Sequence, residues 1–480
     1  MSETQQTTLK KQLSSRHITM LALGGAIGAG LFKGSGEAIG IAGPSVLIAF
    51  LIGGAVLFIV MSGLGKLVLD GGDTHHGLSG LVRPFLGAHS ADFIDWVYYS
   101  MWTINIIAEA VAAASFLQLW FPNIPAWFFV FILAILTTLI NLYSVRLFAE
   151  TEYWLAFAKI SVIILLIIFG VYLVGQQMLG SGVFPTLQSI TDHGGFAPHG
   201  MKGIVNSLLV VIYSYGGSEL IAITVSEADD PKKAIPKAIR GVMGRIISFY
   251  IIPLFLLLII FPWNTLAGTT VSPFVMVFEK MNIPFAADIV NFVIILALFS
   301  SINSGVYASS RLLYFRLKDK KGPMSKLAVL NKHQVPQRSV FFCASVLYLG
   351  VILSYFVGDE LFGYLAGSLS YTVLLIWILI SAAAFVLSLK RGSLFEKSIN
   401  LLALIILGLI FIGILFTNSL GVTLLTGLLY FVIFFSYRKK NDSFLLSDES
   451  LIDQKNEQFC KTTVRFFDVP SPSSFAMLFL

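Results

Sequence analysis

The stretch Gly24–Gly36, GGAIGAGLFKGSG, decides how this chain is read. It lies inside an apolar segment, 18–42, long enough to cross a bilayer, yet it carries Gly24, Gly25, Gly28, Gly30, Gly34 and Gly36. Such a density weakens a continuous helix. A second interruption, Tyr215-Gly216-Gly217-Ser218, falls at the midpoint of the apolar segment 202–224. Broken helices expose N–H and C=O groups at the bilayer centre, which is tolerated only where they are buried in protein or line a cavity. Half-helix N-termini can hold a carboxylate and freed carbonyls an ammonium, so the pair suits an amino acid zwitterion. The same glycines also suit close helix packing of the GxxxG kind, and by themselves they do not separate the two readings.

Composition agrees with a membrane setting. The chain has 480 residues, 56% apolar and 12% charged, with 41 Phe and a mean hydropathy of +0.84. An average soluble domain is about 25% charged. An ordinary soluble enzyme is excluded. Apolar segments of about 20 residues fall at 18–42, 44–69, 92–120, 124–144, 153–176, 202–224, 242–262, 284–314, 339–357, 361–388, 398–416 and 418–437. An all-α integral membrane protein with twelve transmembrane helices is expected. With the N-terminus inside, 28 of the 32 Lys and Arg fall in or beside cytoplasmic pieces; Lys202 and Lys280 lie outside, and Lys33 and Lys159 lie within spans. That asymmetry puts both termini in the cytoplasm. The net charge of +6 then reports topology, with no nucleic acid partner.

Residues 1–17 have no apolar signal core and read as a cytoplasmic tail; 438–480 read as a disordered cytoplasmic tail whose apolar end, PSSFAMLFL, is too short to span. Cys343 and Cys460 lack metal-ligand spacing, so no disulfide, metal or cofactor is expected. His75 and His76, in DGGDTHHG, read as a solvated loop, because no third ligand or nucleophile stands near them in sequence. No enzyme is expected.

The breaks fall in spans one and six of a run of ten. That spacing suggests two inverted repeats of five, 18–176 and 202–388, making a ten-helix core over 18–388, with peripheral helices over 398–437.

Ionisable residues within spans are functional candidates. Glu109, near the middle of span three, shares a face with Tyr98, Trp102, Asn105 and Phe116. A lone carboxylate there costs at least about 2.5 kcal/mol and needs a partner or a proton. It is either a substrate-side or proton-carrying acid, or a neutral acid locked to another helix. Lys159 lies about 10 Å into span five at 1.5 Å per residue. It either snorkels to the inner surface or supplies an ammonium where a sodium ion would otherwise sit. Ser300, Asn303 and Ser304, with Tyr307, share a face of span eight and could partner it, or serve as interhelical glue. Lys33 faces either an outer vestibule or the substrate. Glu219 could cap the unwound part of span six or be structural.

Several blocks together resemble the amino acid permease family of the amino acid-polyamine-organocation superfamily. They are residues 16–54, LYSVRLFAETEYWLAFAK (142–159), YGGSELIAITVSEADDPKKAIPKAI (215–239), SPFVMVFE (272–279) and SINSGVYASSRLLY (301–314), within a likeness running from Arg16 to Lys440. The resemblance implies the leucine-transporter-type five-plus-five inverted repeat with broken helices 1 and 6, and proton-coupled uptake of amino acids across the plasma membrane. It implies that the substrate carboxylate meets N–H groups around Gly28, Ala29 and Gly30, and the amine meets carbonyls around Ala26, Ile27 and the break at Gly216 and Gly217. Tyr215 would close over the substrate. Lys159 falls where relatives place a lysine at a lost sodium site, and Glu109 matches a family acid; both are candidates for proton coupling.

Three departures stand out: Leu64-Gly65-Lys66 where relatives read LGE, the DGGDTHHG loop, and Lys33 in place of an apolar residue. Small residues at the first break and Ala112 and Ala113 in span three suit a small neutral amino acid, although Lys33 could recruit an acidic side chain. The expected partners are therefore an amino acid, protons and membrane lipids. An exchanger and a non-transporting amino acid sensor are the alternatives. One proton falling through about 100 mV supplies roughly 2.3 kcal/mol, near a fifty-fold gradient.

Overall fold

Helices begin and end where the apolar runs meet glycine and proline. The computed structural model describes residues 27–70, 77–143, 145–181, 190, 193–219, 239, 241, 244–267, 269, 271–318, 323–331, 335–417, 426–427 and 430–431. Ala26, His75, His76, Cys460, both tails and nearly all of the expected twelfth span lie outside these residues. The chain divides into two compact units, 1–428 and 429–480, and of the second only Tyr430 and Phe431 are described. Among the described residues there is no strand.

Span one is interrupted. Ile27 and Gly28 are non-helical, α1 (Ala29–Phe32) makes one turn, and α2 (Gly34–Ala42) follows after Lys33. Gly43, at φ +61, and Pro44 turn the chain into α3 (Val46–Leu69). Next, α4 (Gly77–Leu117) starts fifteen residues before the expected span three and bends at Gly87, whose φ of +79 few other residues adopt. Helices α5 (Ala126–Tyr143), α6 (Val145–Ser181) and α7 (Gly200–Tyr215) follow. In span seven a π-turn at Ile247–Ile251 precedes Pro253 at the start of α8 (Ile252–Ile260); the missing proline N–H falls where the regular hydrogen-bond ladder is already interrupted.

Two short helices, α9 (Trp263–Leu266) and α10 (Pro273–Lys280), lead into α11 (Ala286–Leu317). Pro273 opens α10, and Ser272 Oγ accepts the Phe274 N–H. Then come α12 (Gln337–Val357), which ends at Gly358 with φ +70, α13 (Leu361–Arg391) and α14 (Leu394–Thr417).

Six stretches of the described residues are long and apolar enough to cross a membrane: Gly34–Leu69, Gly77–Leu117, Glu150–Gln177, Ala286–Leu317, Gln337–Arg391 and Leu394–Gly413. The first holds the end of the expected span one and all of span two, and the fifth holds both expected spans nine and ten. The surface differs from that of a soluble protein: Leu51, Leu139, Ile168 and Leu409 face outward, while Glu109, Glu152, Lys159 and Arg245 are buried beside the apolar core. Only a lipid surround makes such a surface favourable.

α4 is central, packing most extensively against α13 and α11, and α7 lies against α2 and α3. At one end of α4, Arg316 Nη1 of α11 pairs with Asp95 Oδ2 at 2.7 Å and its Nη2 with Asp92 Oδ1 at 3.2 Å. The charge-reversed Lys66 pairs with Glu396 at 2.8 Å, and Arg391 with Asp70 at 2.8 Å.

Candidate functional site

The two interrupted spans touch at their breaks. Gly28 is extended (φ −149°, ψ −154°), so the amides that open α1 have no helical acceptor behind them. α7 stops at Tyr215; Gly216 is extended, and Gly217, at φ +82, takes the left-handed conformation that favours glycine. Ser214 Oγ donates to Gly30 O at 2.8 Å, and Tyr250 OH donates to Ser214 O at 2.7 Å. The contact admits no side chain: a Cβ on Gly30 would lie 2.5 Å from Ser214 Cα.

Glu109 reaches this junction from α4. The Ala29 N–H lies 3.1 Å from Glu109 Oε1 and 3.0 Å from Oε2, with the carboxylate 4% exposed. Glu109 thus occupies an amide that the family resemblance gives to a substrate carboxylate. The contact supplies an acceptor to a helix-terminal N–H that has none within its own helix. Glu219 does similar work at the other break, its Oε1 accepting the Gly217 N–H at 3.2 Å, while Arg245 Nη2 donates to Ser218 Oγ at 2.8 Å.

A cavity of about 30 Å³ lies between the breaks. A single water needs ~10–15 Å³ on this measure, so the site is nearly closed. Gly28, Gly30 and Ser301 line it, with Met101, Trp102, Asn105 and Glu109 of α4, Tyr213, Gly216 and Gly217, and Leu369 and Val373 of α13. Trp102 Nε1 and Tyr213 OH are buried without a hydrogen-bond partner among the described residues. Tyr215, expected to close over the substrate, turns away; its OH donates to Phe50 O at 3.0 Å and its ring packs on Tyr250, 4.9 Å between centroids. Two residues along a helix are a turn of about 200°, so Tyr213 faces the cavity where Tyr215 cannot.

Lys159 is fully buried and its Nζ donates to Ile27 O at 3.4 Å, tying α6 to the first break. Ser301 Oγ donates to the same carbonyl at 3.4 Å. Ser300 instead donates to Glu152 Oε1, and Asn303 Oδ1 accepts from Asn141 Nδ2 at 2.7 Å. Ser304 stands beside the Glu152 carboxyl as well. The polar face of span eight therefore meets Glu152, which the sequence reading left at the edge of span five. Its spacing of seven from Lys159 was the available signal, since two turns place both on one helix face. Lys33 Nζ donates to Ser115 Oγ at 3.0 Å and lies 4.7 Å from the centre of the Phe362 ring, joining span one to α4 and α13.

Comparison with known proteins places the chain in a family. The chain is 46% identical to the aromatic amino acid permease FywP of Lactococcus lactis subsp. cremoris (strain MG1363), over 90% of this chain and 97% of that one. It is 48% identical to the uncharacterized amino acid permease YvbW of Bacillus subtilis (strain 168), over 78% and 83%, and 34% identical to a gamma-aminobutyric acid permease of the same organism, over 82% of each. Among solved structures it is similar to a manganese transporter of Eremococcus coleocola, with a TM-score of 0.50 at 15% identity, covering 88% of this chain and 92% of that one. This likeness concerns the fold alone. Amino acid permease is the description of the family that matches residues 17–447, and with that extent and those identities the chain belongs to the amino acid permease family, multi-pass membrane transporters of amino acids.

Proposed function

We propose that the protein takes up a neutral amino acid together with a proton across the plasma membrane, by alternating access on a leucine-transporter-type frame of twelve spans with both termini cytoplasmic. The observation that carries this reading is Glu109 on the Ala29 amide. A substrate carboxylate needs the same donor. Two carboxylates crowded together cannot both stay ionised, so cargo that takes the amide displaces Glu109 and makes it accept a proton. Substrate and proton then bind together. Lys159, on the Ile27 carbonyl, supports an ammonium in the place of a metal ion. Proton release on the inner side from Glu109 or Lys159 biases opening inward, because the two states differ in proton affinity.

The cavity walls Met101, Leu369 and Val373 carry no charge, which favours neutral cargo. Small cargo demands the least widening of so small a space. A second reading, aromatic cargo, is favoured by Trp102 and Tyr213 with their unpartnered Nε1 and OH, and by the name of the 46% identical relative.

The test uses purified protein in proteoliposomes, labelled L-alanine and L-phenylalanine, and competition by all twenty amino acids plus D-alanine, D-serine and 4-aminobutyrate. Accumulation that collapses with the proton gradient is expected. Uptake indifferent to that gradient contradicts proton coupling; acceleration by preloaded substrate at zero potential favours an exchanger, and binding without flux a sensor.

A further inference from the structure

Glu152 has no role in the proposed uptake cycle above, yet it is 1% exposed inside a membrane protein. It lies on α6 seven residues before Lys159, about 10 Å nearer the helix start at 1.5 Å per residue, the end that the charge asymmetry places in the cytoplasm. Ser300 of α11 donates to its Oε1. Among the described residues its Oε2 has no hydrogen-bond partner, and neither do Asn303 Nδ2 and Ser304 Oγ beside it. Lys159 lies in the field of both Glu152 and Glu109. Among the described residues, the charged groups facing Glu152 are Lys159 on its own helix and, beyond it, Glu109 of α4, while α11 and α5 offer the neutral Ser300, Asn303, Ser304 and Asn141.

Charge counting fixes the consequence. Two carboxylates and one ammonium carry a net charge of minus one, which is costly at membrane depth. One added proton makes the cluster neutral, and a zwitterionic cargo leaves it so. Both Glu109 oxygens are within reach of the Ala29 N–H, whereas Glu152 Oε2 makes no hydrogen bond among the described residues, with only the side chains of Ser304 and Asn303 beside it. A buried carboxylate oxygen without a donor is expensive, but the same oxygen carrying a proton is neutral.

We propose that Glu152 is the carboxyl that receives the coupled proton and releases it to the cytoplasm, with Lys159 as the relay between it and Glu109. This deepens the proton-coupled reading and rests on it. Glu109, protonated when cargo displaces it, gives that proton to Lys159 as it returns to the Ala29 amide, while the Lys159 ammonium gives one of its own to Glu152 Oε2. The lysine ends as it began, Glu109 is a carboxylate again, and Glu152 is a neutral acid. Loss of the Glu152 proton to inner water leaves the electron pair on its carboxylate, held by Ser300 and the Lys159 charge.

Proteoliposomes with labelled L-phenylalanine, and L-alanine in parallel, test this by two readouts: accumulation driven by a pH gradient, and counterflow against preloaded substrate without a gradient. Glu152→Gln is expected to lose at least about tenfold in accumulation and no more than about threefold in counterflow. Accumulation within twofold of wild type overturns the assignment while proton coupling stands. Wild-type protein that does not accumulate under the gradient instead removes the underlying reading. Should Glu152→Gln lose counterflow too, Glu152→Asp decides. Accumulation restored with a displaced pH midpoint supports the relay; accumulation unrestored, or restored with the wild-type profile, overturns it.

Discussion

The carboxylate of Glu109 holds the amide of Ala29 with both oxygens in reach, at 3.1 and 3.0 Å, across eighty residues of sequence. One side chain from α4 thereby closes the break in span one, on the amide that the proposed function gives to the cargo carboxylate.

Gly28 makes that approach possible. Its extended backbone is open to any residue, so the constraint is steric: a Cβ there would strike the Glu109 carboxylate. Gly28→Ala is expected to lower the initial uptake rate by at least about tenfold, equivalent to ~1.4 kcal/mol. Proteoliposome uptake measures it, and a rate within twofold of wild type would contradict the contact.

Glu109→Gln keeps an oxygen that can accept the Ala29 N–H but cannot exchange a proton. Counterflow should persist while gradient-driven accumulation falls by about tenfold or more, a protonation-step loss of ~1.4 kcal/mol or greater. Equal loss of both would mark Glu109 as a packing residue only.

Gly30 and Ser214 offer a contrast in size. Gly30→Ala forces a methyl group against the Ser214 main chain, an overpacking cost of about 1–3 kcal/mol. Ser214→Ala loses the bond to Gly30 O, worth about 1 kcal/mol. Thermal unfolding in detergent should rank Gly30→Ala below Ser214→Ala; the reverse order refutes the close approach.

Two ion pairs differ in the same way. Asp95 is 6% exposed, and its removal takes from Arg316 the shorter of two carboxylate contacts, leaving Asp92 at 3.2 Å; Asp95→Ala is expected to cost about 1.5–3 kcal/mol. The Lys66–Glu396 side chains are 45% and 36% exposed, so Lys66→Ala should cost at most about 1 kcal/mol. Matching thermal shifts for the two variants would contradict this assignment of burial.

The sequence alone determined that this is an all-helical membrane chain, because apolar run length and the placement of Lys and Arg are properties of single segments read against a bilayer. It also marked Gly28 and Gly216–Gly217 as positions where a helix gives way, since glycine acts locally. Tertiary structure decided what fills those breaks. That Glu109 sits on Ala29, that Tyr213 and not Tyr215 meets the cavity, and that Ser300 serves Glu152 and not Lys159 all depend on how separate helices are rotated against one another. Rotation is set by packing between segments far apart in the chain, and periodicity within one segment names a face without naming the neighbour it meets.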